Sequence, residues 1–337
     1  MKKIIVLITI SIALMASFSG CQKDDVTPGT PLSIITLDKA CVGLFIGDRE
    51  TLIASVYPEK ATITWTSSNS NIASISTEGV ISAKAAGTTT ITAIIDGSGS
   101  SATCEVTVAA SKYGLWGLGN HLTEERSNNV NYEWYIDQGN TGTHSKVNCG
   151  PACVTMAIKW SNPNFTKTTE DARNRYHPNG GWWYTSDITN YLNDNHTSHY
   201  VSSLANTTSL INQLKDGNIA ILCLDIYYVR YHTKAPEWRV DKFYSTTSPK
   251  SGHFIVVKGY KIVDGQIWFE VYDPWSLNVR YQDGSLKGRN RYYRSEDIIK
   301  ATNVWWEYMI VVNNPANPVA HSKQAIDPAT IIHQWGR

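Results

Sequence analysis

The chain carries almost no excess charge, with 30 lysines and arginines against 29 aspartates and glutamates. So balanced a chain builds no long-range field toward polyanions, which excludes nucleic acid as a partner on electrostatic grounds. Long apolar runs are also missing. The first, over residues 4–14, is about half of the ~20 residues that a mature spanning helix needs. The six cysteines, Cys21, Cys41, Cys104, Cys149, Cys153 and Cys223, show no metal-ligand spacing. No Gly-x-x-x-x-Gly-Lys-Ser/Thr run is present, so no phosphate-binding loop of an ATP-driven machine is expected.

What is present begins with an export signature. Lys2, Lys3, the apolar run and small residues up to Gly20 have the layout of a secretory signal over residues 1–20. Phe18-Ser19-Gly20-Cys21 resembles the lipobox of bacterial lipoproteins, which implies that Cys21 is lipidated, becomes the new N-terminus and holds the protein on a membrane. Gln22-Lys23-Asp24-Asp25 resembles the acidic export signal of surface lipoproteins in Bacteroidetes-type bacteria, which implies an outer-membrane lipoprotein of the cell envelope, exposed at the surface. In an exported protein disulfides persist, so Cys41 and Cys104, near opposite ends of one module, are a candidate pair.

Residues 21–31, with Pro28, Gly29 and Pro31, read as a flexible tether. From residue 32 to 109 the chain turns into short alternating runs rich in Thr, Ser, Val and Ile, among them Thr62-Ile63-Thr64-Trp65, Gly79-Val80-Ile81-Ser82-Ala83 and Cys104-Glu105-Val106-Thr107-Val108. Six or seven strands in so short a stretch predict an all-β sandwich. The order Thr64-Trp65-Thr66-Ser67-Ser68-Asn69, Ile72-Ala73, Gly79-Val80, Ala83, Gly87-Thr88 and Val106-Thr107-Val108 closely resembles the bacterial immunoglobulin-like domain, group 2. That resemblance implies a spacer or adhesive module and no active site.

Beyond Ala110 the composition changes, since eleven of the 12 tryptophans and seventeen of the 18 tyrosines lie there. Residues 110–314 form a second domain, with helices predicted at 150–161 and near 186–193, and strands at 219–228, 254–262, 266–273 and 304–312. This is an α+β pattern. Residues 315–337 are a tail with little periodicity.

The chemistry concentrates at Asn148-Cys149-Gly150-Pro151-Ala152-Cys153. Pro151 is pre-organised for a first helical turn, so Cys149 falls at a helix N-terminus, where unpaired N–H groups and the positive end of the helix dipole favour the thiolate. Gly150 is expected to leave room for a substrate backbone. Cys153, one turn on, reads as a small core residue. A thiolate needs a partner that carries its proton, and of the nine histidines eight lie in polar or turn-like stretches. His253 differs: Ser251-Gly252 precede it and the strand Phe254-Ile255-Val256-Val257 follows, which places an imidazole at the mouth of a sheet.

Asp273, in Val271-Tyr272-Asp273-Pro274-Trp275, closes the next strand and is the candidate orienting carboxylate. A two-residue Asp264-Gly265 turn would leave His253 and Asp273 on opposite faces. A three-residue loop from Val263 to Gly265 pairs His253 with Trp275 and makes Asp273 its same-face diagonal neighbour. The triad therefore demands an odd loop or a bulge. Trp182, Trp183 and Tyr184 are read either as lining a groove or as core and rim packing.

Cys149, His253 and Asp273, with the Cys-Gly-Pro-Ala turn and the Gly-His-Phe-Ile-Val-Val-Lys-Gly-Tyr strand, resemble papain-like cysteine peptidases, nearest the bacteriocin-leader (double-glycine) type and its free-standing relatives, over about residues 135–275. The resemblance implies a papain-like fold, hydrolysis of a peptide or protein substrate without a cofactor, and a glutamine on the oxyanion, for which Gln138 is the candidate. Without an ATPase motif, leader cleavage during export is not expected. A cell-wall amidase or acyl-transfer enzyme using the same triad, and an inactive surface adhesion protein, remain as alternatives.

Overall fold

The computed structural model describes residues 33–57, 59–232 and 237–316. The signal segment, Cys21, the tether and all but the first two residues of the C-terminal tail lie outside the described residues.

The N-terminal strands are β1 (Ile34–Leu37), β2 (Cys41–Phe45), β3 (Arg49–Thr51), β4 (Ala54–Tyr57), β5 (Ile63–Ser67), β6 (Ala73–Ile75), β7 (Val80–Ala83), β8 (Gly87–Ile95) and β9 (Ser101–Ala109). One sheet runs β2-β9-β8-β5 and a second β3-β7-β6, with β1 paired to β4. The alternation read from the sequence is the burial alternation: Ile91, Ala93 and Ile95 point inward from β8, Cys104, Val106 and Val108 from β9.

This geometry corrects the expected disulfide. Cys41 and Cys104 are free thiols. Strands β2 and β9 are parallel, with Cys41 opposite Glu105 and Val42 opposite Val106. Val42, Val106 and Cys104 face the core, so Cys41 projects from the other side of the same sheet. Two thiols on opposite faces cannot be bridged without a change of register. Denaturation without reductant is expected to leave both cysteines open to alkylation; a mass deficit of two protons and protection of both would contradict this register.

The second domain comprises α1 (Lys112–Leu115), β10 (Leu122–Ser127), α2 (Cys149–Ser161), α3 (Thr169–Arg175), α4 (Thr185–Asp194), β11 (His199–Ser203), α5 (Thr207–Lys215), β12 (Ile219–Asp225), β13 (Gly252–Val263), β14 (Gln266–Tyr272), β15 (Arg291–Arg294), α6 (Ser295–Asn303) and β16 (Tyr308–Val312). The predicted helices are present as α2 and α4, and the predicted strands as β12, β13, β14 and β16. The sequence reading missed β10, β11, β15 and helices α1, α3, α5 and α6. It also ran two strands too long, because residues 226–228 form a 3-10 turn and Val304–Trp306 close the end of α6.

The sheet order is β11-β16-β12-β13-β14-β15, all antiparallel, with β10 flanking the far half of β13. Ile219 and Ile221 of β12 and Val256 of β13 pack beneath α2 and α4, whereas Ala220, Leu222, Ile255 and Val257 pack against α5 and α6. A sheet covered on both faces explains why these strands read as unbroken apolar runs rather than alternating ones. The sandwich touches this domain through Gln282, whose side-chain amide donates to Cys41 O at 2.7 Å and accepts from Gly43 N at 3.2 Å on the edge strand β2.

Candidate active site

Cys149 is the first residue of α2, as Pro151 two positions on predicts. The helix is nearly engulfed, with Ala152, Cys153, Val154, Met156 and Ala157 buried against the sheet, so the thiol is fixed in place rather than merely exposed at a loop. It is itself only 6% exposed. Burial pushes its pKa up, but a hydrogen bond with the His253 side chain, the charge of that imidazole and the N–H groups of Phe254 and Gly150 outweigh it and hold the thiol below its ordinary value. Cys153 has burial without these partners, and its thiol is pushed well up.

His253 is the second residue of β13, and its Nε2 lies 2.8 Å from Asp273 Oδ1, which leaves Nδ1 for the thiol. Burial opposes the imidazolium, yet Asp273 and the thiolate raise its pKa to about 10. Asp273 is fully buried. Burial pushes its carboxyl up, and the His253 charge and hydrogen bond, the Tyr293 hydroxyl and the Trp275 N–H more than reverse that. Its second oxygen accepts from Tyr244 Oη at 2.8 Å and Tyr293 Oη at 2.5 Å, and Oδ1 also accepts from Trp275 N at 2.9 Å. Four donors on one carboxylate leave it little freedom to rotate away from the imidazole.

The register that brings the two together is not the expected loop. The β13–β14 turn has two residues, Asp264 and Gly265, with φ of 50° and 78°, and pairs Val263 with Gln266. Left uninterrupted, that ladder would put His253 and Asp273 on opposite faces. Between Val257 and Gly259 the register shifts: Gly259 faces Glu270, but Val257 faces Val271. Lys258 is the extra residue of a β-bulge, and past it the ladder continues so that His253 and Asp273 share a face as diagonal neighbours.

Gln138 is buried, and its backbone N–H donates to Pro274 O at 2.8 Å, tying its segment to the residue after Asp273. Its Nε2 donates to Ser145 O at 2.9 Å, while Oε1 has no hydrogen-bond partner among the described residues. One Nε2 hydrogen is therefore committed inside the loop that leads to Cys149. The space beside Gly150 is not open to substrate as expected: a Cβ there would stand 2.8 Å from Trp183 Cβ, so the glycine admits Trp183. Arg173, buried in α3, orders this corner. Its Nε donates to Asn148 Oδ1 at 2.8 Å, Nη2 to Val147 O at 2.8 Å and Nη1 to Gly181 O at 3.0 Å, which links the approach to Cys149 with the Trp182–Trp183 segment.

Residues 33–106 match the model of the bacterial Ig-like domain (group 2), and residues 89–300, more than half of the chain, match that of the Peptidase C39 like family. The chain belongs to the C39-like peptidase family. The family match starts inside β8, although β8 and β9 are hydrogen-bonded into the sandwich. Among solved structures, a Bacillus anthracis protein described as a C39-like peptidase is 12% identical, with 57% of this chain and 98% of that one covered and a TM-score of 0.36. Domains 4 and 5 of the S-layer protein SbsC are 21% identical over 23% of this chain and 51% of theirs (TM-score 0.20), and an intimin mutant of EHEC O157:H7 is 13% identical over 50% and 68% (TM-score 0.17). The chain thus spans about half the length of that S-layer structure. No curated protein matches the chain.

In this C39-like domain the thiol opens onto a cavity of about 310 Å³. Trp182, Trp183 and Tyr184 form one wall, so the groove reading of these residues holds, although Trp183 also belongs to the core. Gly252, Phe254, Trp305 and Trp306 form the other, with Cys223 and Lys250 completing the lining. The sequence reading missed Cys223, the Trp305–Trp306 wall and the two tyrosines on Asp273. Only the Trp305-Trp306 pair carried a local signal, as adjacent tryptophans where a strand was expected.

Proposed function

We propose that this chain is a lipid-anchored cysteine peptidase of the cell envelope, hydrolysing peptide or amide bonds with Cys149 as nucleophile, His253 as proton carrier and Asp273 as the orienting carboxylate. The observation that carries the reading is the continuous thiol–imidazole–carboxylate contact at the N-terminus of a buried helix, with the thiol held down and the imidazole held up in pKa. The thiolate attacks the carbonyl carbon, forming a C–S bond and moving the C=O electron pair onto oxygen. The Cys149 backbone N–H and the second Nε2 hydrogen of Gln138 are the donors assigned to that oxyanion. As the C–N bond breaks, His253 gives its proton to the departing amine; the neutral imidazole then takes a proton from water, which attacks the acyl-thioester and restores the thiolate and imidazolium. No cofactor takes part. A buried carboxylate held by four donors against a histidine, with a thiol at the edge of a cavity beside it, favours this reading over an adhesion protein.

The test is turnover of a peptide library by the mature chain, with a thiol-directed peptidase inhibitor located by mass spectrometry. Adduct at Cys149 and loss of turnover support the reading; cleavage of muropeptides alone would favour the amidase, and no adduct with no turnover the adhesion protein. Membrane attachment is checked separately. Metabolic labelling with a fatty-acid analogue is expected to mark wild type and to leave Cys21→Ala unlabelled and released from membranes; equal label in both would remove the anchor.

A further inference from the structure

The cavity beside Cys149 has a composition that selects a ligand. Trp182, Trp183, Trp305, Trp306 and Phe254 supply aromatic surface from two sides, and Phe254 meets Trp306 edge to face at 6.0 Å. Gly252, one residue before His253, is what admits the second wall, since a Cβ there would stand 2.7 Å from the Trp305 ring. Cys223 reaches the cavity from β12, where it pairs with Phe254 across the ladder, and its buried thiol is pushed well above its ordinary pKa, so it offers a neutral, soft surface. Among the described residues, Lys250 is the one charged side chain in the lining, and no carboxylate lines the cavity. Trp182 and Tyr184 are largely exposed at the mouth, 60% and 47%, an arrangement with aromatic surface still to be covered.

We propose that this cavity is the principal specificity pocket and takes a large apolar or aromatic side chain of a peptide, positioned next to the bond that Cys149 attacks. The proposal rests on the peptidase reading above and extends it to the substrate. A sugar ring would also stack on tryptophan, but it needs acceptors as well as donors around its hydroxyls, and among the described residues the lining carries no carboxylate or side-chain amide: apart from Lys250 and the Tyr184 hydroxyl its side chains offer indole N–H donors, one of which Trp183 already gives to Tyr176 O, and thiols. An acidic side chain would leave the aromatic walls wet. A glycine would leave the cavity unfilled. Burying a leucine- or phenylalanine-sized side chain here corresponds to about a ten- to hundredfold preference over glycine.

The experiment separates binding from chemistry. The full-length Cys149→Ala chain is titrated with alanine hexapeptide amides carrying Phe, Leu, Gly, Glu or Lys at one position at a time, and with a peptide-free N-acetylglucosaminyl–N-acetylmuramyl disaccharide, following tryptophan emission. At one position Phe and Leu are expected to bind at least tenfold tighter than Gly. Trp182→Ala, at an exposed site outside the core, and Cys223→Leu, which fills the cavity, are each expected to shrink that ratio. A flat profile, a preference for Gly or Glu, tighter binding of the disaccharide, or a ratio untouched by both substitutions would overturn the proposal. The same peptides are then given to the wild-type chain. Apolar preference in binding without cleavage leaves the pocket standing and removes the peptidase reading; cleavage without apolar preference does the reverse.

Discussion

Replacing His253 with alanine is expected to abolish turnover and to move the pH profile of Cys149 alkylation upward, to or past that of a free thiol. On the proposed mechanism the reactive form is thiolate beside imidazolium. The thiol's pKa is lowered and that of His253 is raised to about 10, so the pair exists above the first and below the second. Iodoacetamide should therefore react with Cys149 well below the ~8.5 of an unperturbed thiol. The largest single influence on Cys149 is burial, which disfavours the thiolate; only the histidine's charge and hydrogen bond, helped by two backbone N–H groups, overcome it. Take the imidazole away and burial dominates. The same pair links stability to pH: a histidine raised above its unfolded 6.5 contributes stability that is complete below 6.5 and lost as pH climbs through about 10. Asp273→Ala should weaken turnover less, because the imidazole survives without its orienting partner. Alkylation rates read by mass spectrometry against pH provide the check. Superimposable profiles for wild type and His253→Ala, both centred near a free thiol, would remove the physical basis of the peptidase reading.

The second large effect is expected far from the thiol, at the bulge. Lys258 and Glu270 are both buried, with Nζ 2.6 Å from Oε1, and the ammonium lies 4.9 Å from the centre of the Tyr272 ring. Burial lowers the Lys258 pKa, and Glu270 offsets only part of that. Glu270→Gln keeps the shape and removes the counter-charge, leaving a cation in a dry site at a cost of about 3–5 kcal/mol. Because the lone lysine would then bind its proton less readily folded than unfolded, the deficit should shrink as pH rises toward 10.5 and grow as pH falls. Lys258→Met combined with Glu270→Met should recover most of the stability, since a matched apolar pair has no ion to desolvate. It should also keep turnover, because the register of His253 depends on the number of residues between the turn and the strand's start, not on their charge. Urea unfolding of the three chains at two pH values gives the answer, and a Glu270→Gln chain within about 0.5 kcal/mol of wild type would show that the pair is solvated.

What was legible in the sequence was local. The alternating Thr, Val and Ile runs determine the sandwich because a strand's period of two is written directly into which side chains are apolar. Pro151 and the apolar run after it determine that Cys149 begins a helix, since the fixed proline φ suits only the first turn. Gly252-His253 before a solid apolar strand places the histidine at a sheet's end. The demand for an odd loop or a bulge was also readable, as parity alone requires it.

Which of the two occurs was decided only by the fold. The Asp264-Gly265 turn follows its local preference for two residues, and the parity is corrected six residues away at Lys258, where β13 gives up β12 as a neighbour and takes β10 on the same side. The faces of Cys41 and Cys104 were likewise hidden, because a parallel pairing between strands sixty residues apart leaves no mark in either one. The same holds for the Tyr244 and Tyr293 hydroxyls on Asp273 and for the walls brought together from residues 182–184, 223, 252 and 305–306. Each of these segments is read by its own propensities, whereas a site assembled from several of them depends on long-range packing, which no local pattern encodes.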